Sequence, residues 1–224
     1  MRWSANDILE LASRLVRKNK AGSITATDLF YYWNAEQFMY WNDVVGRWQA
    51  RSAGKSGINT GLILNETSLT ELAPFTISET LTVSSGLADK PDDFEYRMAL
   101  RVSGKKVFFI SPDQIAAVND SVIDAPSVAN GIYYATEYED YYQFLPSTIT
   151  EAVLDYIASP TEIKWAYTFD SEGRQVYNSG RSVQPKWGNS TIVEITKRTL
   201  NTMGISWKDA DFAAAGKSAQ LTGN

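Results

Sequence analysis

Hydrophobic side chains change period twice along this chain, and the two changes restrict what it can fold into. Between residues 8 and 48 they recur at helical spacing, between 75 and 177 they alternate, and from residue 192 the helical spacing returns. Period 3.6 turns one face of a helix toward a core, and period two does the same for a strand. The expected class is therefore α+β: an N-terminal helical hairpin, a central antiparallel β-sandwich or open barrel, and a C-terminal helix. The corresponding boundaries are residues 1–55 for the hairpin, 60–187 for the β domain, and 188–224 for the last helix and tail.

The local signals are specific. Ser4 with Asp7 three residues on reads as a helix start. Ile8, Leu11, Ala12 and Leu15 follow on one face, and Arg14, Arg17, Lys18 and Lys20 gather at the end, where cations favour the helix dipole. Gly22 reads as a stop. Thr25 or Thr27 starts a longer helix whose stripe is Phe30, Trp33, Phe38, Trp41, Val44, Val45 and Trp48. That stripe carries more aromatic surface than a short partner helix covers, which points to an assembly contact through Trp33, Trp41 and Trp48. Residues 51–61 have linker composition.

In the middle, Phe75, Ile77, Leu81 and Val83 alternate with polar residues. Ser103-Gly104-Lys105 reads as a hairpin turn, Pro112-Asp113 as a short helical turn, and Glu139-Asp140 as the tip of a second hairpin. Ile149–Ile157 is a further strand ended by Pro160. Ile163, Trp165, Tyr167 and Phe169 alternate with polar or small residues, and Ser171-Glu172-Gly173 turns the chain back into Gln175-Val176-Tyr177. Near the end, Asn189 or Ser190 caps a helix with Ile192, Val193, Ile195, Thr196, Leu200 and Met203 inward and Gly204 as its stop. Residues 208–215 suggest one more short helix, and 216–224 a polar tail that orders on a partner.

Two residue types are missing altogether. The 224 residues include no histidine and no cysteine. That excludes Ser-His-Asp and Cys-His nucleophilic sites, a histidine general base, structural zinc, cysteine-held iron–sulfur clusters and disulfides. The start of the chain has no apolar run of signal-peptide length, and no stretch of 18 or more apolar residues is long enough to span a membrane. Asn65-Glu66-Thr67 and Asn119-Asp120-Ser121 match a glycosylation pattern that has no meaning without secretion.

The net charge of −5 is unevenly placed. Residues 1–59 carry 8 Lys/Arg against 5 Asp/Glu, residues 60–180 carry 7 against 18, and residues 181–224 carry 6 against 3. An acidic middle between basic ends does not read as a DNA-binding face, but it can pair end to middle with copies of itself.

Candidate chemistry is thin. Gly54-Lys55-Ser56 resembles the end of a phosphate-binding loop, yet the glycine required five residues earlier is Gln49. Asp92-Asp93-Glu95, Glu137-Glu139-Asp140 and Asp209-Asp211 are acidic clusters without calcium-loop spacing. As a hydrolase they would need two acids about 5–10 Å apart across a cleft. Lys105-Lys106 is a solvated turn. The run Tyr133, Tyr134, Tyr138, Tyr141, Tyr142 can stack on sugars, but it is interleaved with acids, which disfavours nucleic acid. Its expected use is a sheet face or a protein contact, with Tyr141 and Tyr142 the candidates. No catalytic, metal-binding or cofactor-binding residue is assigned, no cofactor is expected, and the chain does not read as an enzyme.

An ordered set of motifs runs Asn119-Asp120-Ser121-Val122-Ile123-Asp124-Ala125-Pro126-Ser127, Gln143-Phe144-Leu145-Pro146, Val153-Leu154-Asp155-Tyr156-Ile157-Ala158-Ser159-Pro160, Trp165-Ala166-Tyr167 and Leu200-Asn201-Thr202-Met203-Gly204-Ile205. This succession, over roughly residues 110–206, resembles virion structural proteins of crAss-like and related tailed phages of Bacteroidota. The resemblance implies a non-enzymatic head–tail connector component, an adaptor or collar protein forming a ring below the portal, usually of twelve copies. Implied partners are further copies of the chain, the portal and other neck or tail proteins. DNA would pass only through the channel, no membrane is involved, and the location would be the virion after assembly in the host cytoplasm. The alternatives are another tail role, as hub or tube component, and a carbohydrate-binding β module.

Overall fold

The computed structural model describes residues 3–18, 23–53, 69–121 and 123–205. The expectations for Lys20, Gly22, Gly54-Lys55-Ser56, Asn65, Val122, Asp209, Asp211 and residues 208–224 lie outside the described residues. The chain divides into two compact units, Met1–Pro74 with Pro160–Asn224, and Phe75–Ser159. The class is α+β, with helices at both ends and sheets between.

In the first unit, helix α1 (Ala5–Lys18) starts as its sequence dictates. The Asp7 N–H donates to Ser4 Oγ at 3.2 Å, and the Ser4 N–H donates back to Asp7 Oδ2 at 2.7 Å, a reciprocal cap. A further free amide of the first turn, that of Ala5, donates to Gln184 Oε1 at 2.8 Å. Ile8, Leu11, Ala12, Leu15 and Val16 are buried. Helix α2 (Ala26–Ala53) is capped in the same way, by Thr25 and not Thr27: the Asp28 N–H donates to Thr25 Oγ1 at 3.1 Å. At 28 residues it is about 42 Å long.

The last helix, numbered α4 here (Asn189–Thr202), packs against α2. Its N-cap is Gly188, in extended conformation with no side-chain cap, one residue before the expected Asn189. Its end is the expected one: Ile205 N–H donates to Leu200 C=O and Gly204 N–H to Asn201 C=O, both at 2.9 Å. This doubly bonded ending satisfies carbonyls that the helix leaves open.

Between Pro160 and Gly188 runs a two-stranded ribbon, β9 (Tyr167–Phe169) with β10 (Gln175–Tyr177). The alternation from Ile163 to Asp170 predicts a longer strand. Side chains occupy the missing ladder positions instead: Ile163 bonds the amide of Asn34, and the Ala166 N–H donates to Ser182 Oγ at 2.8 Å. Residues 160–187 therefore belong with the helices, and the compact β unit ends at Ser159, not at residue 187. Alternation marks a strand without saying which body it joins.

The second unit holds two four-stranded sheets. One has the order β1 (Thr76–Thr82), β8 (Glu151–Ala158), β3 (Phe94–Val102), β4 (Lys105–Lys106). The other has the order β2 (Leu87–Asp89), β7 (Tyr141–Leu145), β6 (Tyr134–Glu137), β5 (Phe108–Phe109). All ladders are antiparallel except β5 with β6. That pair is parallel because the chain leaves the first sheet after Lys106 and crosses to the second, returning through the turn Pro112–Gln114 and the short helix α3 (Ile115–Asn119).

The two sheets share one core. Leu81, Leu100, Val102, Ala152, Leu154 and Tyr156 come from the first sheet, and Ala88, Ala135, Tyr142 and Phe144 from the second. This is a sandwich.

Candidate assembly surfaces

The aromatic residues singled out in the sequence separate into two groups. Trp33, at 0% exposure, and Trp41, at 3%, are core residues of the helical unit, and Tyr142, at 0%, is a core residue of the sandwich. An assembly contact through these three is corrected by their burial. Trp48 and Tyr141 are half-buried.

The cover that α2 appeared to lack comes from sequence far away. Trp33 Nε1 donates to Thr196 Oγ1 on α4 at 3.1 Å, and Trp187 Nε1 donates to Gln37 Oε1 at 3.3 Å. Trp187 also meets Tyr40 edge-on, with ring centroids 5.4 Å apart. Asn34 and Gln37 in the middle of the aromatic stripe were the available signal. Polar amides at buried helix positions imply backbone partners close by, and the chain at Thr161 and Ile163 supplies them.

The exposed hydrophobic side chains lie elsewhere. On α2 they are Tyr31, at 73% exposure, and Met39, at 60%. Tyr31 meets Tyr32 edge-on at 5.4 Å. The helix is thus apolar on its outer face as well as its inner one, a pattern that calls for cover on both sides.

The ribbon is the second place. Phe169 is 65% exposed, Val176 47% and Tyr167 41%. Tyr167 and Phe169 share one face, with Trp165 at its base, and Val176, opposite Thr168, lies on the other. The base is fastened at two points: Trp165 Nε1 donates to Asn6 Oδ1 at 3.2 Å, and Gln184 Nε2 donates to the Tyr177 hydroxyl at 2.7 Å. At the tip, Arg174 and Glu172 donate backbone N–H groups to Asp170, which with the Arg174 side chain hold its carboxyl below the usual range. Regular alternation over Trp165, Tyr167 and Phe169 was visible in the sequence; that nothing in the chain covers it was not.

The acidic clusters are tied up in structure. Glu137 accepts from Arg97, from Lys90 at 3.0 Å and from the Tyr142 hydroxyl at 3.3 Å. Lys90 Nζ lies 4.6 Å from the centre of the Phe94 ring, and the Arg97 guanidinium lies 3.3 Å from that of Phe109. This network joins β3 to β6 and β7 across the sandwich. Asp93 accepts from the Tyr156 hydroxyl at 2.8 Å. Among the described residues no three acidic side chains are grouped as a metal site requires, and no helix is long and apolar enough to cross a membrane.

Tyr138 and Tyr141 stack at 4.7 Å at the β6–β7 tip. Tyr142, with its ring in the core, takes no part in that platform.

A scan against protein-family models matches none, and a search of curated proteins finds no similar sequence.

Proposed function

We propose that this chain is a non-enzymatic structural subunit of a tailed-phage virion, forming an oligomeric ring in the head–tail connector below the portal. The observation that carries the reading is the ordered motif set from Asn119 to Ile205, which resembles crAss-like phage virion proteins. The exposed ribbon supports it. A fold that buries Trp33, Trp41, Trp187 and Tyr142 completely or nearly so leaves Phe169, Tyr167 and Val176 in solvent, as a subunit does at its contacts. The uneven charge supports it too, since a ring repeats one head-to-tail contact and can set a basic surface on an acidic one.

Light scattering after size exclusion, with and without the portal complex, tests the reading. A defined ring, or a monomer that joins the portal in fixed ratio, is the expected result. A monomer indifferent to virion proteins overturns it.

A second reading, a carbohydrate-binding β module, rests on the Tyr138–Tyr141 stack. Glycan-array binding that disappears in Tyr141→Ala would favour it over the ring.

A further inference from the structure

Strand β1 is an open edge without the usual protection. It pairs on one side only, with β8, in seven consecutive register pairs from Thr76↔Ile157 to Thr82↔Glu151. Natural edge strands are blunted by lysine, proline, bulges or shortness. β1 reads Thr-Ile-Ser-Glu-Thr-Leu-Thr and has none of these. The other edges do: β2 has three residues, β4 and β5 two each, and the outer side of β3 is interrupted by two register shifts.

The β9–β10 ribbon is the complementary feature. It has two strands and three register pairs, with exposed hydrophobic side chains on both faces. A two-stranded ribbon is marginal alone in water and gains from a third strand.

We infer that the ribbon of one copy adds as a strand to the β1 edge of a second copy, an inference that rests on the ring reading and supplies its contact. The occupant follows from charge. The unit carrying β1, Phe75–Ser159, holds 13 Asp/Glu and 5 Lys/Arg, whereas the rest of the chain, which carries the ribbon, holds 13 and 16. Pairing β1 with β1 would set two units of −8 together, with Glu79 at the strand centre facing Glu79, the like-charge arrangement that destabilises a ladder. Ribbon on edge instead brings a net-basic part of one copy to the acidic part of the next. The two surfaces differ, so the contact is head-to-tail and repeats from copy to copy.

The chain has no cysteine, which makes the test clean. Thr80→Cys on β1 and Thr168→Cys on β9 are placed together in the full-length protein and treated with a short bismaleimide. The expected result is a ladder of dimer, trimer and higher species, absent from either single variant. Phe169→Lys with Val176→Lys, at unchanged melting temperature, weakens self-association at least tenfold by sedimentation. Dimers from Thr168→Cys alone mean ribbon on ribbon, and dimers from Thr80→Cys alone mean edge on edge; either overturns the inference. A wild-type protein that forms a ring while the double variant gives no ladder overturns the strand addition and leaves the ring standing. A wild-type protein monomeric at every concentration, with portal present, overturns both.

Discussion

The side-chain amide of Asn34 pairs with the backbone of Ile163 at both ends: Nδ2 donates to the Ile163 carbonyl at 3.1 Å, and Oδ1 accepts the Ile163 N–H at 2.9 Å. An amide side chain on helix α2 thus takes the place of a neighbouring strand. Asn34→Ala leaves a part-buried donor and acceptor unmatched and removes the acceptor of Gln37 Nε2 as well. Its cost should be about 2–3 kcal/mol, read as a lowered urea midpoint at unchanged slope. A loss below about 0.5 kcal/mol would mean that water replaces the side chain without penalty.

Trp33 separates a core role from an interface role. With 0% exposure and a bond to Thr196, Trp33→Ala should cost about 3–5 kcal/mol in the isolated monomer. Phe169→Ala, on the exposed ribbon, should change monomer stability by no more than about 0.5 kcal/mol. Equal losses for the two, measured at a concentration where the protein is monomeric, would contradict this division.

What could be read in advance follows from the range of each interaction. Caps are local, so Ser4 with Asp7, Thr25 with Asp28, and the Gly204 stop were legible from three or four residues. So were the hairpins around Ser103-Gly104 and Glu139-Asp140, because turn chemistry sits in the turn. The burial of Trp33 and Trp41 was not legible, because their cover comes from residues more than 120 positions away, around Ile163 and Thr196. An aromatic stripe on a helix reads the same whether another helix of the chain or another molecule covers it. For the same reason the ribbon's alternation at Trp165, Tyr167 and Phe169 gave its faces but not their exposure.

Gly86 and Gly104 both have positive φ, at +81° and +76°, but their surroundings differ. A Cβ on Gly86 would lie 3.1 Å from the Cα of Ser147 and 3.2 Å from the carbonyl oxygen of Phe144, whereas one on Gly104 meets nothing within 4 Å. Gly104→Ala therefore pays only for the left-handed backbone, about 1–2 kcal/mol. Gly86→Ala adds a backbone clash between the β1–β2 turn and the segment after β7, and should cost at least about 1 kcal/mol more. Thermal melts of the two variants side by side check the order, and a Gly104 variant that melts lower than the Gly86 variant would refute it.

Tyr142 makes the sandwich sensitive to alkali. Burial pushes its phenol well above the ordinary value near 10, the charge of Glu137 pushes it further, and Arg97 pulls the other way. Tyr156 is raised as well, by burial first and then by its bond to Asp93. A raised phenol keeps its proton in the folded state while the unfolded chain loses it, so the folded state binds more protons above pH about 10. The stabilisation is complete below that pH and is lost as pH rises toward the folded-state value. Stability should be level from pH 7 to about 9 and then fall by up to about 1.4 kcal/mol per pH unit for each such tyrosine. Tyr142→Phe should remove one tyrosine's share of that slope, while costing about 1 kcal/mol at pH 7 for the lost bond to Glu137. Urea midpoints at pH 8, 10 and 11, followed with tyrosinate absorbance, give the measurement. An identical alkaline slope in Tyr142→Phe would place the sensitivity in other residues.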